Sequence, residues 1–199
     1  MRRVTLLTAP VLALLLTACG GSGPQPGTAL SLDGKRVTTT HVQDVANRYC
    51  DALAKVGTDA STQTVQNQVV GALAARLAAE RFADARGIEP GSSYATAVTQ
   101  LRKQLTSFDP DTQDAIVEVE GAQSYVSAVT ESVGDQSFTQ WLDGQHLKVN
   151  PVYGMTLTGS RFDHVDASLS VAASKQAKAA VQAAADPSAS PAGGGRTCG

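Results

Sequence analysis

Val65, Val69, Leu73 and Leu77 recur every fourth position in a stretch whose other residues include Ala72, Ala74, Ala75, Ala78 and Ala79. That spacing places one apolar stripe on a helix. Alanine between the large residues has the highest helix propensity and lets a neighbouring helix approach closely. A chain built on such a segment must find other helices to cover it. Three further stripes answer this need. Val42, Val45, Tyr49, Leu53 and Val56 form one, ended by Gly57. Tyr94, Val98, Leu101, Leu105 and Phe108 form the most regular. Ile116, Val119, Gln123, Val126, Thr130 and Val133 form the third.

The punctuation between stripes agrees with this reading. Thr39 or Thr40 caps the first helix, and Ser92 or Ser93 starts the third. Gly87-Ile88 followed by Pro90 is a glycine C-terminus with a hydrophobic cap contact and a breaker. Asp109-Pro110 is an N-cap with proline in the first helical position. A short fifth helix over 137–145 carries Phe138, Trp141 and Leu142. The expected fold is therefore mainly α, a bundle of about five helices. Two short segments break the pattern. Leu30, Leu32 and Val37 alternate around Asp33-Gly34, a strand or hairpin signal. Leu147, Val149, Val152 and Tyr153 suit a strand, interrupted by turn chemistry at Asn150-Pro151 and Gly154.

The two ends lie outside this pattern. Met1-Arg2-Arg3 and the apolar run Val4 to Leu16 have the form of a secretory leader, too short to span a bilayer. Leu16-Thr17-Ala18-Cys19 resembles a bacterial lipobox. The resemblance implies that Cys19 becomes the diacylglyceryl-modified first mature residue, holding the protein on the outer face of the cell membrane. Two acyl chains suffice for stable anchoring. A chance cysteine after an ordinary leader is the other reading. The expected division is a signal peptide over 1–18, lipidated Cys19 with a flexible linker over 19–28, a helical domain over 29–159, and an Ala/Pro/Gly-rich tail over 160–199. Beyond Gly159, Phe162, Val165 and Leu169 suit at most one or two helical turns.

Loss of Arg2 and Arg3 with the leader leaves 14 basic against 18 acidic residues, which disfavours nucleic acid as a partner. Setting Cys19 aside leaves Cys50 and Cys198 in a disulfide-permissive compartment. The expectation is a bridge between them; the other arrangement is a buried free Cys50 beside a loose Cys198. His41, His146 and His164 lack zinc-ligand spacing, and no P-loop or nucleophile elbow is present. No catalytic residue, metal or cofactor is therefore expected. Glu118 and Glu120 read as a solvated helix face. Tyr94, Phe108, Tyr125, Phe138, Trp141 and Tyr153 are either core or the lining of a groove for apolar peptide, with Trp141 and Tyr153 expected as a core pair.

Leu32-Asp33-Gly34, Val37-Thr38, Val42, Ala85-Arg86-Gly87-Ile88 and Val149-Asn150-Pro151-Val152-Tyr153-Gly154 occur in an order that resembles the N-terminal chaperone module of the SurA/PrsA extracytoplasmic folding factors. The resemblance covers 29–154. It implies that Leu30–Leu32 or Val37 pairs with Val149–Tyr153 in a two-stranded element. Family members often carry a parvulin isomerase before the closing strand. Here only 137–148 lies there, too short for such a domain. The implied function is a membrane-anchored holdase for non-native secreted polypeptides and not an enzyme. The alternative is a scaffold lipoprotein that holds one folded or cell-wall partner.

Overall fold

The computed structural model describes residues 25–158, 161–164 and 197–198. The expected leader, Cys19, most of the expected linker and the stretch over 165–196 lie outside the described residues. The fold is mainly helical, in the order β1 (Thr28–Leu32), β2 (Lys35–Thr38), α1 (Thr39–Lys55), α2 (Thr62–Arg86), α3 (Ser92–Gln104), α4 (Pro110–Thr130), α5 (Asp135–Asp143), β3 (Lys148–Val149), β4 (Met155–Thr158) and β5 (Arg161–His164).

Asp33-Gly34 joins β1 to β2 through a two-residue turn in which both residues have positive φ, 46° and 82°. This is the Asp-Gly hairpin connection whose twist matches that of the flanking strands. β1 then pairs on its other edge with β3, placing Leu30 opposite Val149 and Ser31 opposite Lys148. The expected pairing is present, and the sheet gains a third strand in the order β2-β1-β3. Thr28 is buried within β1, so the ordered unit starts one residue inside the stretch assigned to the linker.

Asn150 ties the closing strand down. Its backbone N–H donates to the Ala29 carbonyl at 2.8 Å, and its side-chain amide donates to the Thr28 carbonyl at 2.9 Å. Its Oδ1 accepts from the Val152 N–H, capping a 3-10 turn over Pro151–Tyr153. Gly154 follows with φ 60°, a conformation that costs a side-chain-bearing residue strain. Tyr153 is buried.

The helices meet on two long members. α2 carries ten buried residues from Val65 to Ala83, and α4 packs along it. α1 lies against both, while α3 packs on α4. Asp109 accepts from the Thr112 N–H ahead of Pro110, so α4 starts as the sequence indicates. The Asp109 carboxyl sits below its ordinary range, chiefly through the Thr112 hydroxyl and then its N–H. At the end of α2, the Ile88 N–H reaches back to the Ala83 carbonyl past Gly87.

Several expectations are corrected. The N-cap of α1 is Thr38, whose hydroxyl accepts from the His41 N–H. The third stripe outruns its helix: α3 ends at Gln104, and Phe108 lies in the following loop under the Lys55 ammonium. α5 begins at Asp135 instead of 137. Arg161–His164 is a strand paired with Met155–Thr158, where helical turns were expected, so the folded unit passes the boundary at 159.

Cys50 and Cys198 form a disulfide with Cα atoms 5.0 Å apart. Thr197 bridges to Ser61, and the Cys198 N–H donates to the Ala60 carbonyl. Cys198 is buried in the main core, so the end of the assigned tail belongs to the domain. The bridge spans 148 positions. A loop of that size restricts the unfolded chain by up to about 5 kcal/mol on the chain-entropy account. The Cys50→Ser, Cys198→Ser chain is expected to lose about 3–5 kcal/mol, lowering Tm by roughly 10 °C in calorimetry. An unchanged Tm would contradict this.

Candidate functional site

α2 and α3 both rest on α4 and leave an open groove of about 600 Å³ between them. Arg76 and Glu80 of α2 form one wall, Tyr94, Val98 and Arg102 of α3 the other, and Asp114, Val117 and Glu118 of α4 the floor. The polar groups are already engaged. Arg76 Nε donates to Glu80 Oε1 at 3.1 Å, and its Nη1 donates to the Tyr94 hydroxyl at 2.9 Å. The same guanidinium lies 5.8 Å from the Tyr94 ring centroid and 5.1 Å from that of Tyr125. The two rings meet edge to face at 5.1 Å. Such cation–π contacts strengthen as the site loses water. Burial disfavours the Arg76 charge, but Glu80 and Tyr94 outweigh it and hold its pKa above the ordinary value. At the other end of the groove, Arg102 pairs with Asp114 at 2.6 Å.

Glu118 and Glu120 do lie toward solvent, Glu120 exposed and Glu118 half-buried, but both also bond to α1. Glu118 bonds the His41 ring at 2.8 Å, and Glu120 accepts from the buried Tyr49 hydroxyl. Gln68 of α2 also donates to that hydroxyl. Both carboxylates thus tie α4 to α1. Their i, i+2 spacing correctly separates them to different sides of the helix, but it carries no information about which helix meets each side.

The six aromatic candidates do not line one groove. Tyr94 lines it, with Tyr125 immediately behind. Phe138 and Trp141 pack around Phe82, with ring centroids 5.4 Å away in each case. Trp141 therefore makes its ring contacts with phenylalanines and not with Tyr153, which is buried in the main core. Phe108 is the loop residue beneath Lys55. Arg76, Glu80, Arg102 and Asp114 were absent from the sequence-based set. Only the i, i+4 spacing of Arg76 and Glu80 was readable as a pair; the meeting with Tyr94 and Tyr125 is tertiary.

Among the described residues, no group of three or more His, Cys, Asp or Glu side chains is placed to hold a metal ion, and no helix is long and apolar enough to cross a membrane. The groove offers aliphatic surface from Val98 and Val117 between two ion pairs, a composition suited to an amphipathic polypeptide. No protein-family model, curated protein or solved structure matches the chain.

Three of the four tyrosines titrate above their ordinary value of 10.0, Tyr49 by burial and then its bond to Glu120, Tyr125 by burial and then Glu80, Tyr153 by burial. The fold favours the neutral phenols, so above about pH 10 the unfolded chain releases protons first. Their contribution to stability is full below pH 10 and declines as pH rises through the folded-state values. Denaturant titrations at pH 9 and pH 11 are expected to show the decline, with Tyr49→Phe making it shallower. An identical pH slope in wild type and Tyr49→Phe would contradict the assignment to Tyr49.

Proposed function

We propose that this chain is a membrane-tethered extracytoplasmic binding protein, a chaperone-like holder of non-native secreted polypeptides built on a SurA/PrsA-type module without an isomerase. The observation that carries this reading is the pairing of β1 with β3. Leu30 opposite Val149 sets the opening strand beside the closing one, with the five helices between them in sequence. This is the arrangement implied by the resemblance. The lipobox-like Leu16-Thr17-Ala18-Cys19 supports a lipid anchor, and the Cys50–Cys198 bridge suits an oxidising compartment. The groove between α2 and α3 gives a polypeptide a place to lie.

One observation favours the second reading, a lipoprotein that holds a single folded or cell-wall partner. Among the described residues, only Val56 and Val152 are exposed large hydrophobics, at 63% and 74%. A promiscuous holder ordinarily presents a broader apolar patch.

The two readings part in an aggregation assay. The chain without its leader and Cys19, residues 22–199, is expected to suppress aggregation of chemically denatured citrate synthase at several-fold molar excess. No suppression would refute the holdase and leave the single-partner reading. In cells, Cys19→Ala is expected to move the protein from the membrane fraction to the soluble extracytoplasmic fraction. Unchanged fractionation would refute the anchor.

A further inference from the structure

α3 differs from every other helix of the described fold in having no buried residue. Tyr94, Val98 and Leu101 are only half-buried, and the rest of its thirteen residues are half-buried or exposed. It packs chiefly on α4, antiparallel, with Tyr94 near Tyr125 at one end and Arg102 near Asp114 at the other. Its Gly91 N-cap supplies no side-chain bond. Its other ties are Ser93 to Glu131 and Arg102 to Asp114 at the surface, the half-buried Arg76 bond to the Tyr94 hydroxyl, and the Gly91 N–H to the Ala128 carbonyl. Surface pairs of this kind contribute little. A further cavity of about 250 Å³ opens on the other side of α3, beside Gly121 and Ser124.

The surface beneath α3 is apolar. Val117 and Gly121 are buried, and Tyr125 continues their row at the same four-residue spacing. The Tyr94 ring lies 3.8 Å from the point where a Cβ on Gly121 would sit, so this ring rests directly on α4. The flanks of that row carry charge of one sign. α4 holds Asp111, Asp114, Glu118 and Glu120 and no lysine or arginine; Asp111, Glu118 and Glu120 bond to α1, and Asp114 pairs across to α3. α3 meets this with Arg102, which pairs with Asp114. The α4 face thus displays, through the helix that covers it, the pattern it accepts: an aromatic residue, aliphatic residues four and seven positions later, and a basic residue at the following turn.

We infer that the α4 face beneath α3 is a binding surface for a helix-forming polypeptide segment with an aromatic–aliphatic stripe and a basic flank, and that α3 is its removable cover. This deepens the proposed polypeptide-binding role and rests on it. It also accounts for an apolar binding surface in a protein with so few exposed hydrophobics. A ligand helix laid in the place of α3 would make helix-in-groove contacts. Its affinity would be reduced by the fraction of molecules in which α3 remains seated.

The test uses the mature chain with its disulfide intact. In native-state hydrogen exchange, α3 amides are expected to exchange at least tenfold faster than those of α4, by an opening that leaves α1 and α2 protected. Exchange of α3 only together with α4 would overturn the cover. A fluorescent synthetic peptide of residues 92–105 serves as the probe in anisotropy titrations. Tyr94→Ala, which weakens the cover, is expected to bind it about tenfold more tightly than wild type, and no saturable binding to either protein would overturn the site. The same peptide carrying R102E is expected to lose about tenfold in affinity, and equal affinity would overturn the charge match. Dimers formed by exchange of α3 between copies, in place of peptide binding, would assign the face to a second copy and overturn the heterologous occupant. Failure of these measurements with aggregation suppression intact would remove the cover and retain the holdase. Peptide binding without suppression would do the reverse.

Discussion

The fold depends on the contact between its opening and closing strands. β1 is buried along nearly its whole length, and it would have one open edge if the chain ended after α5. β3 covers that edge with only two residues, too few to hold by ladder bonds alone. Asn150 makes the difference, since its backbone and side chain both donate to carbonyls at the start of β1. Buried carbonyls left without donors would each cost roughly 1–3 kcal/mol. The β1–β2 hairpin is in turn fixed to the end of α2. Lys35 pairs with Asp84 at 2.9 Å and holds that carboxyl below its ordinary range.

With the ends closed, α4 becomes the helix on which the others are arranged. α2 and α1 bury one side of it, α5 packs near its C-terminal end, and α3 covers a further face. This division explains why the groove has its particular composition. The side of α4 toward α1 is locked by His41–Glu118 and Tyr49–Glu120, while the side toward α3 is held by the exposed Arg102–Asp114 and Ser93–Glu131 bonds, and Arg76 ties Tyr94 to α2. Stability is therefore concentrated in α1, α2 and α4, leaving α3 as the element with least to lose on moving. Binding surfaces are commonly drawn from such regions.

Much of this was legible in the sequence because the signals were local. Asp33-Gly34 specifies its turn through positive φ at both positions, and Asp109-Pro110 specifies a helix start through one side-chain bond and one missing N–H. The single disulfide pairing became legible once Cys19 was set apart. The errors arose where a pattern was followed past its physical support. Phe108 continues the α3 stripe arithmetically, yet the helix ends at Gln104, and the aromatic instead serves as a platform for Lys55. The β4–β5 hairpin is four residues on each strand, too short for its periodicity to outweigh a helical reading. The groove itself was not legible. Arg76, Tyr94 and Tyr125 stand on three different helices, and nothing in their spacing along the chain brings a guanidinium between two rings.

The contact between first and last strands can be measured as a coupling energy. In a double-mutant cycle, Leu30→Ala and Val149→Ala are made singly and together, and stability is read from denaturant unfolding. Directly opposed cross-strand residues interact by roughly 0.2–1 kcal/mol, and burial of Leu30 favours the upper part of that range. A coupling of at least about 0.5 kcal/mol is the result this account requires. Additive effects of the two substitutions would mean that the closing strand does not hold the opening one, and the structural basis for the proposed module would fall with it.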